Sequence, residues 1–161
     1  DGFVIGCLTP QGELDGHAMA PLLKAAEGCG LTLHRAIDVS RDLVETYRTA
    51  SKLGFDTVLT SGGAGNCTAG KDTIGQLLKL RDCEGGPEVL IGAGVNARVI
   101  RAFREEFPQA RAFHMSGKTE MESAMIFRRA GVPMGLPGLD EWHSQQTDEL
   151  AVKTARQALD A

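Results

Sequence analysis

The chain is short of positive charge. Its 17 lysines and arginines face 21 aspartates and glutamates, leaving a net charge of −4. Nucleic acid and an anionic membrane surface both require a basic field, so neither is expected as a partner. Long apolar runs are missing too. Nothing approaches the roughly 20 residues of a membrane-crossing helix, and the opening residues do not read as a signal peptide. Cysteine is present without a pattern. Cys7, Cys29, Cys67 and Cys83 form no CxxC pair and no Cys/His cluster of zinc-finger spacing. Four thiols without a framework indicate reduced cysteines in a cytoplasmic protein. Cys29, Cys67 and Cys83 are expected to act as small buried hydrophobes. Cys7 ends a strand and stays open as a metal ligand.

What is present is ordinary globular material, 42% hydrophobic and 24% charged over 161 residues. That is enough for a single domain, residues 1–161, with its own core. GFVIGCL (2–8) reads as a buried strand and TPQGELD (9–15) as a turn. HAMAPLLKAAEG (17–28) has helical apolar spacing, and LTLHRAI (31–37) reads as the second strand. RDLVETYRTASKLG (41–54) is an amphipathic helix that Ser40 or Asp42 can cap, with Gly54 at its end. FDTVLTSGG (55–63) and PEVLIGAGV (87–95) each pass from strand to glycine loop, and each precedes a helix, 71–82 and 97–107. RAFHMSG (111–117) is the last strand. A loop rich in Met, Gly and Pro runs to about Asp140, and a helix closes the chain over 148–161. Strand, loop and helix alternate five times, which implies parallel strands joined by helical crossovers. An open doubly wound sheet and a (β/α)8 barrel both use that unit. A full barrel needs about 250 residues, so length alone favours the open sheet.

In either architecture the ligand sits beyond the C-terminal ends of the strands, and the unusual residues gather there. His34 and Arg35 end one strand, with Asp38 just after. Ser61, Gly62 and Gly63 end the next. Gly92 and Gly94 follow the fourth, and His114, Ser116 and Gly117 end the fifth. His34, Arg35, Asp38 and His114 are the candidate catalytic or pocket residues, with His34 as acid or base and Arg35 as anion clamp. Arg35 has a second reading as structural glue, paired with Asp38 or Asp56. Ser61, Gly62, Gly63, Gly92, Gly94, Ser116 and Gly117 are the candidate anion-binding set, since exposed amides before a helix can cradle an anion. Strand alternation places Thr32 and His34 on one face and Ala112, His114 and Ser116 on another shared face, so His34, His114 and Ser116 are expected to converge. His17 and His143 read as surface residues, and Trp142 as a packing residue. Met115, Met121, Met125 and Met134 form no MxxM array, and gap filling suits them better than thioether ligation of Cu(I).

TLHRAID, LGFDTVLTSGG, IGAGVNA, FHMSG and SAMIFRR, together with DGFVIGCLTPQGELD and EWHSQQTDELAV, resemble the CutC family of copper homeostasis proteins. The resemblance runs along essentially the whole chain. It implies a (β/α)8 TIM-type barrel, present here as an incomplete barrel of about five βα units, strands four to eight, with about three units upstream. It implies cytosolic copper handling, with Cu(I) as the possible cargo and copper or a small anion as ligand. An alternative is a barrel enzyme for a small anionic substrate, phosphorylated or not. Two apolar strand edges without Pro or Lys make a homo-oligomer possible. Ala93 departs from the family pattern, where many relatives carry a third glycine.

Overall fold

The computed structural model describes residues 1–136, 138 and 140–161. Five short parallel strands form one sheet: β1 (Gly2–Ile5), β2 (Gly30–Leu33), β3 (Thr57–Thr60), β4 (Glu88–Ile91) and β5 (Ala112–Phe113). Between them run α1 (Gly16–Ala25), α2 (Leu43–Lys52), α3 (Lys71–Glu84) and α4 (Ala97–Glu106). The helix starts follow from their caps. Asp15, Asp42 and Asn96 each accept an amide proton of the first turn. Asp42, not Ser40, is thus the cap of α2.

The strand order β1-β2-β3-β4-β5 follows the chain without reversal. An open doubly wound sheet reverses direction at a switch point and carries helices on both faces. Here every crossover goes the same way, and right-handed crossovers then put all the helices on one face. The result is an arc of an α/β barrel, an incomplete (β/α)8 barrel of about five units. The strands' burial agrees. Leu33, Val58 and Val89 share a register row and are fully buried under the helices. Thr60 and Ile91 form the next row, continued by Phe113, which meets Phe103 of α4 edge-on at 6.3 Å. The alternate residues Leu59, Leu90 and Ala112 form the inner face and are only half-buried.

Five departures from the sequence reading stand out. The first strand, read as buried over 2–8, spans only Gly2–Ile5 and is largely exposed, because it is the edge of the sheet. The second strand stops at Leu33 rather than Ile37, because Arg35–Val39 tightens into a 3-10 turn. The His34 ring starts that turn, its Nδ1 accepting the Ala36 N–H at 3.1 Å. The last parallel strand is only Ala112–Phe113. Part of the expected loop is instead an antiparallel ribbon, β6 (Lys118–Glu122) with β7 (His143–Thr147). Pro137 and Leu139 of that loop lie outside the described residues. Between the ribbon strands Ile126 is 99% exposed and Met134 87% exposed. The closing helix α5 (Glu149–Asp160) packs Ala155 and Ala158 against α4. Lastly, Cys67 is buried as expected, but Cys29 and Cys83 are exposed. Cys29 sits in the turn before β2 and Cys83 in the last turn of α3.

Candidate functional site

The 3-10 turn after β2 carries Asp38 into the glycine loop after β3, and the contact is dense. Asp38 Oδ1 accepts the Thr60 hydroxyl at 2.6 Å and the Ser61 and Gly63 amides at 3.0 Å each. Its Oδ2 accepts the Ser61 hydroxyl at 2.9 Å and Arg35 Nε at 2.6 Å. The carboxylate is 5% exposed. Burial pushes its pKa up. Hydrogen bonds from Thr60, Arg35, Gly63 and Ser61 outweigh that, and the net direction is below the usual aspartate value. Asp38 is therefore a fixed anion at neutral pH.

This changes the reading of several candidates. The Ser61 and Gly63 amides are turned on Asp38, and the Gly62 amide on the Thr60 hydroxyl at 2.9 Å. The anion in the TSGG loop is thus internal rather than a ligand. The Gly92 amide continues the sheet ladder to the Thr60 carbonyl at 2.9 Å. Gly117 is buried, its carbonyl accepting the Asp148 amide. Of the anion-binding set, Gly94 and Ser116 remain on an open cavity. Asp38 is buried and is not among the residues that line that cavity. Arg35 does pair with Asp38, as its structural reading held, while Asp56 accepts the Leu31 amide at 2.7 Å.

The cavity lies at the C-terminal ends of β2 to β5, has a volume of about 290 Å³, and is lined by Arg35, Leu59, Gly94, Val95, His114 and Ser116, with Ala93 and Met115. His114 and Ser116 lie past the end of β5, on chain freed by that strand's early stop. His34 is not among the lining residues. Its ring lies against Gly6, where a methyl group would come within 2.9 Å of Cε1. Arg35 is the cavity's cation. Asp38 and Ser61 hold its Nε and Nη2, the latter at 2.7 Å from Ser61 Oγ. Nη1 makes no hydrogen bond among the described residues. Such an arrangement presents a pre-oriented guanidinium edge beside an imidazole and a hydroxyl. Thr60 escaped the sequence reading. Its signal was a hydroxyl at a strand position where alternation demands an apolar side chain.

The residues offer little to soft copper. Cu(I) favours thiolate and thioether ligands. No cysteine belongs to a cluster of metal-ligand type among the described residues. Cys7 is half-buried and Cys67 is buried, with burial pushing the Cys67 thiol up. The cluster found among the described residues is Glu120 and His143 of the ribbon with Asp140 just before β7, ligand atoms within 4.8 Å of one another. Its carboxylates are hard ligands, and His143 Nδ1 already meets Asp140 Oδ2 at 2.6 Å.

Comparison with known proteins bears on the whole arc. The family model described as CutC family matches residues 1–119. Family protein CutC of Porphyromonas gingivalis is 37% identical over 161 residues, covering 99% of this chain and 62% of that protein. Its counterpart in Chromobacterium violaceum is 34% identical, covering 99% of this chain and 64% of that protein. The chain thus spans under two thirds of the length of these curated relatives. Among solved structures, CutC from Streptococcus agalactiae, which carries a provisional copper-homeostasis assignment, superposes with a TM-score of 0.61 at 26% identity. It covers 68% of this chain and 53% of that one.

Proposed function

Since the chain belongs to the CutC family, we propose that it takes part in cytosolic copper handling and that its strand-end pocket holds a small anionic ligand. The observation that carries the ligand is Arg35, fixed through Nε and Nη2 with Nη1 uncommitted at a cavity shared with His114 and Ser116. An arginine oriented in advance loses little freedom on binding and matches the planar oxygens of an anion. The copper role is supported by the family and by the assignment of the Streptococcus relative. It is not supported by a thiolate site within these residues, so tight Cu(I) binding by this chain alone is not expected. The scattered, reduced cysteines support a cytoplasmic setting.

A second reading is enzymatic. His114 lines the cavity beside Arg35 and is the group placed for proton transfer to a bound anionic substrate. His34 has its Nδ1 committed to Ala36, which leaves only Nε2 for such a role. Self-association is a further part of the proposal. Phe3 and Val4 on β1, and Ile126 and Met134 in the segment between the ribbon strands, are exposed apolar surface. Light scattering at several concentrations is expected to show a concentration-dependent mass.

Calorimetric titration with small carboxylates and phosphate tests the ligand. Arg35→Lys is expected to weaken binding by about tenfold, because an ammonium lacks the fork that Asp38 and Ser61 hold. Unchanged affinity would remove Arg35 from the site. In parallel, Cu(I) presented against a strong chelator is expected to stay with the chelator. Capture that disappears in Cys7→Ser would place a metal site on β1's end instead.

A further inference from the structure

We infer that the ribbon carries a site for a divalent cation of the Zn²⁺ class, held by Glu120, Asp140 and His143. The site shares no residue with the Arg35 pocket and goes beyond the function proposed above. Three positions distant in sequence are brought together there. β6 and β7 pair antiparallel, with Glu122 opposite His143 and Glu120 opposite Gln145. Residues two apart along a strand share a face, so Glu120 and His143 stand diagonally across one face of the ribbon. His143 Nδ1 lies 3.8 Å from Glu120 Oε1. Asp140 enters from the chain just before β7. Its Oδ1 accepts the Trp142 amide at 2.8 Å, while Oδ2 meets His143 Nδ1 at 2.6 Å. One ligand atom from each residue thus lies within 4.8 Å of the others.

A simple ion pair needs one carboxylate, and here two converge on one imidazole. Among the described residues, neither Glu120 nor Asp140 forms a salt bridge with a lysine or arginine. The neighbouring arginine is engaged elsewhere. Arg128 pairs with Glu122 at 2.8 Å and stacks over the Trp142 ring at 4.8 Å. Two negative charges therefore face a single imidazole, and a divalent cation would balance them. The spacing suits one. Tetrahedral coordination at about 2.0–2.1 Å sets ligand atoms about 3.3 Å apart, between the 2.6 and 3.8 Å of the two His143 contacts. All three side chains are exposed, so rotation alone can equalise them. Three protein ligands and an open fourth position result. The imidazole favours Zn²⁺ over Mg²⁺ and Ca²⁺, which take shells of oxygen, and the absence of sulfur in the set disfavours Cu(I). Asp140 also lines the apolar cavity of Met125, Phe127, Met134 and Trp142. A bound cation would tie that wall to both ribbon strands.

The test is calorimetric titration of the full chain with Zn²⁺ at about pH 8, where protons compete little for an imidazole, with Mg²⁺ as the comparison ion. Cys29→Ser and Cys83→Ser are combined in the background, so that exposed thiols do not take up the metal. One Zn²⁺ per chain is expected, bound at least about a hundredfold more tightly than Mg²⁺. His143→Gln is expected to weaken Zn²⁺ by at least about tenfold, and Glu120→Gln by less, with folding checked by circular dichroism. Without these two substitutions, NMR is expected to show Zn²⁺-dependent shifts at Glu120, Asp140 and His143, with Arg35 and His114 unchanged. Zn²⁺ binding no tighter than Mg²⁺ would leave only an acidic surface and overturn the site. No Zn²⁺ binding, or an affinity unchanged in His143→Gln, would overturn it too. Should His143→Gln misfold, the shift map decides, and shifts centred on another histidine would overturn the site.

Discussion

The glycine loop after β3, Ser61–Gly63, and the one after β4, Gly92–Gly94, leave adjacent parallel strands at the same end of the sheet. Both are rich in glycine and both stand between a strand and a helix. Their fates differ because of one residue supplied from elsewhere. The first loop receives Asp38 from the turn after β2, and the carboxylate takes up the Ser61 and Gly63 amides. No side chain fills the second loop in this way, and its Ala93 and Gly94 line the open cavity. A glycine loop keeps amides to spare only where the fold does not provide the anion itself. The filled loop still serves the site, because the carboxylate that fills it also holds Arg35.

Emptying the first loop is expected to have the largest effect. Asp38→Ala leaves the buried Thr60 hydroxyl and two amides without their acceptor, at a cost of about 4 kcal/mol in chemical denaturation. The pH dependence has a definite sign. Asp38 has a folded-state pKa below its unfolded value, so its contribution is complete above about pH 4. That contribution fades as pH falls through the folded value. The stability gap between wild type and Asp38→Ala should therefore close in acid. A gap that does not narrow as pH falls below the ordinary aspartate range would show the carboxylate is not the source.

Next comes the backbone of the same loop. Gly62 has φ +76°, and a Cβ there would lie 2.2 Å from the Gly70 carbonyl oxygen. Gly62→Ala is expected to cost about 3 kcal/mol, from the left-handed conformation plus the displaced backbone. The second loop should answer with the opposite sign and a smaller size. Ala93 holds φ 68°, a left-handed conformation that a side chain disfavours. Ala93→Gly is expected to stabilise by about 1 kcal/mol. Thermal melts of the two variants side by side would sharpen the contrast, and destabilisation by Ala93→Gly would break it.

How far this was legible in sequence depends on the range of each interaction. The five βα units and the caps of α2 are local patterns, and they stand nearly where alternation and capping place them. The gathering of unusual residues at the strands' C-terminal ends was visible for the same reason. The monotonic strand order was not, since it is a property of pairing between units, and length alone pointed to an open sheet. Asp38 reaches Ser61 across 23 positions, so nothing local marked the TSGG loop as already filled. The end of β2 was misplaced because Ala36 and Ile37 resume the apolar character of the strand within the 3-10 turn. The ribbon strands KTEME and HSQQT are exposed along their whole length, without the buried face that makes a strand recognisable.

The central claim is that ligand binds where Arg35, Gly94, His114 and Ser116 meet. An NMR titration of the full chain with small carboxylates and phosphate, following backbone amides and the arginine Nε–H signals, addresses it most directly. Shifts are expected at Gly94, Val95, His114 and Ser116 and at the Arg35 side chain, with Gly62 and Gly63 unchanged. Shifts confined to the ribbon cavity around Met125, Phe127, Met134 and Trp142, with Arg35 silent, would contradict it.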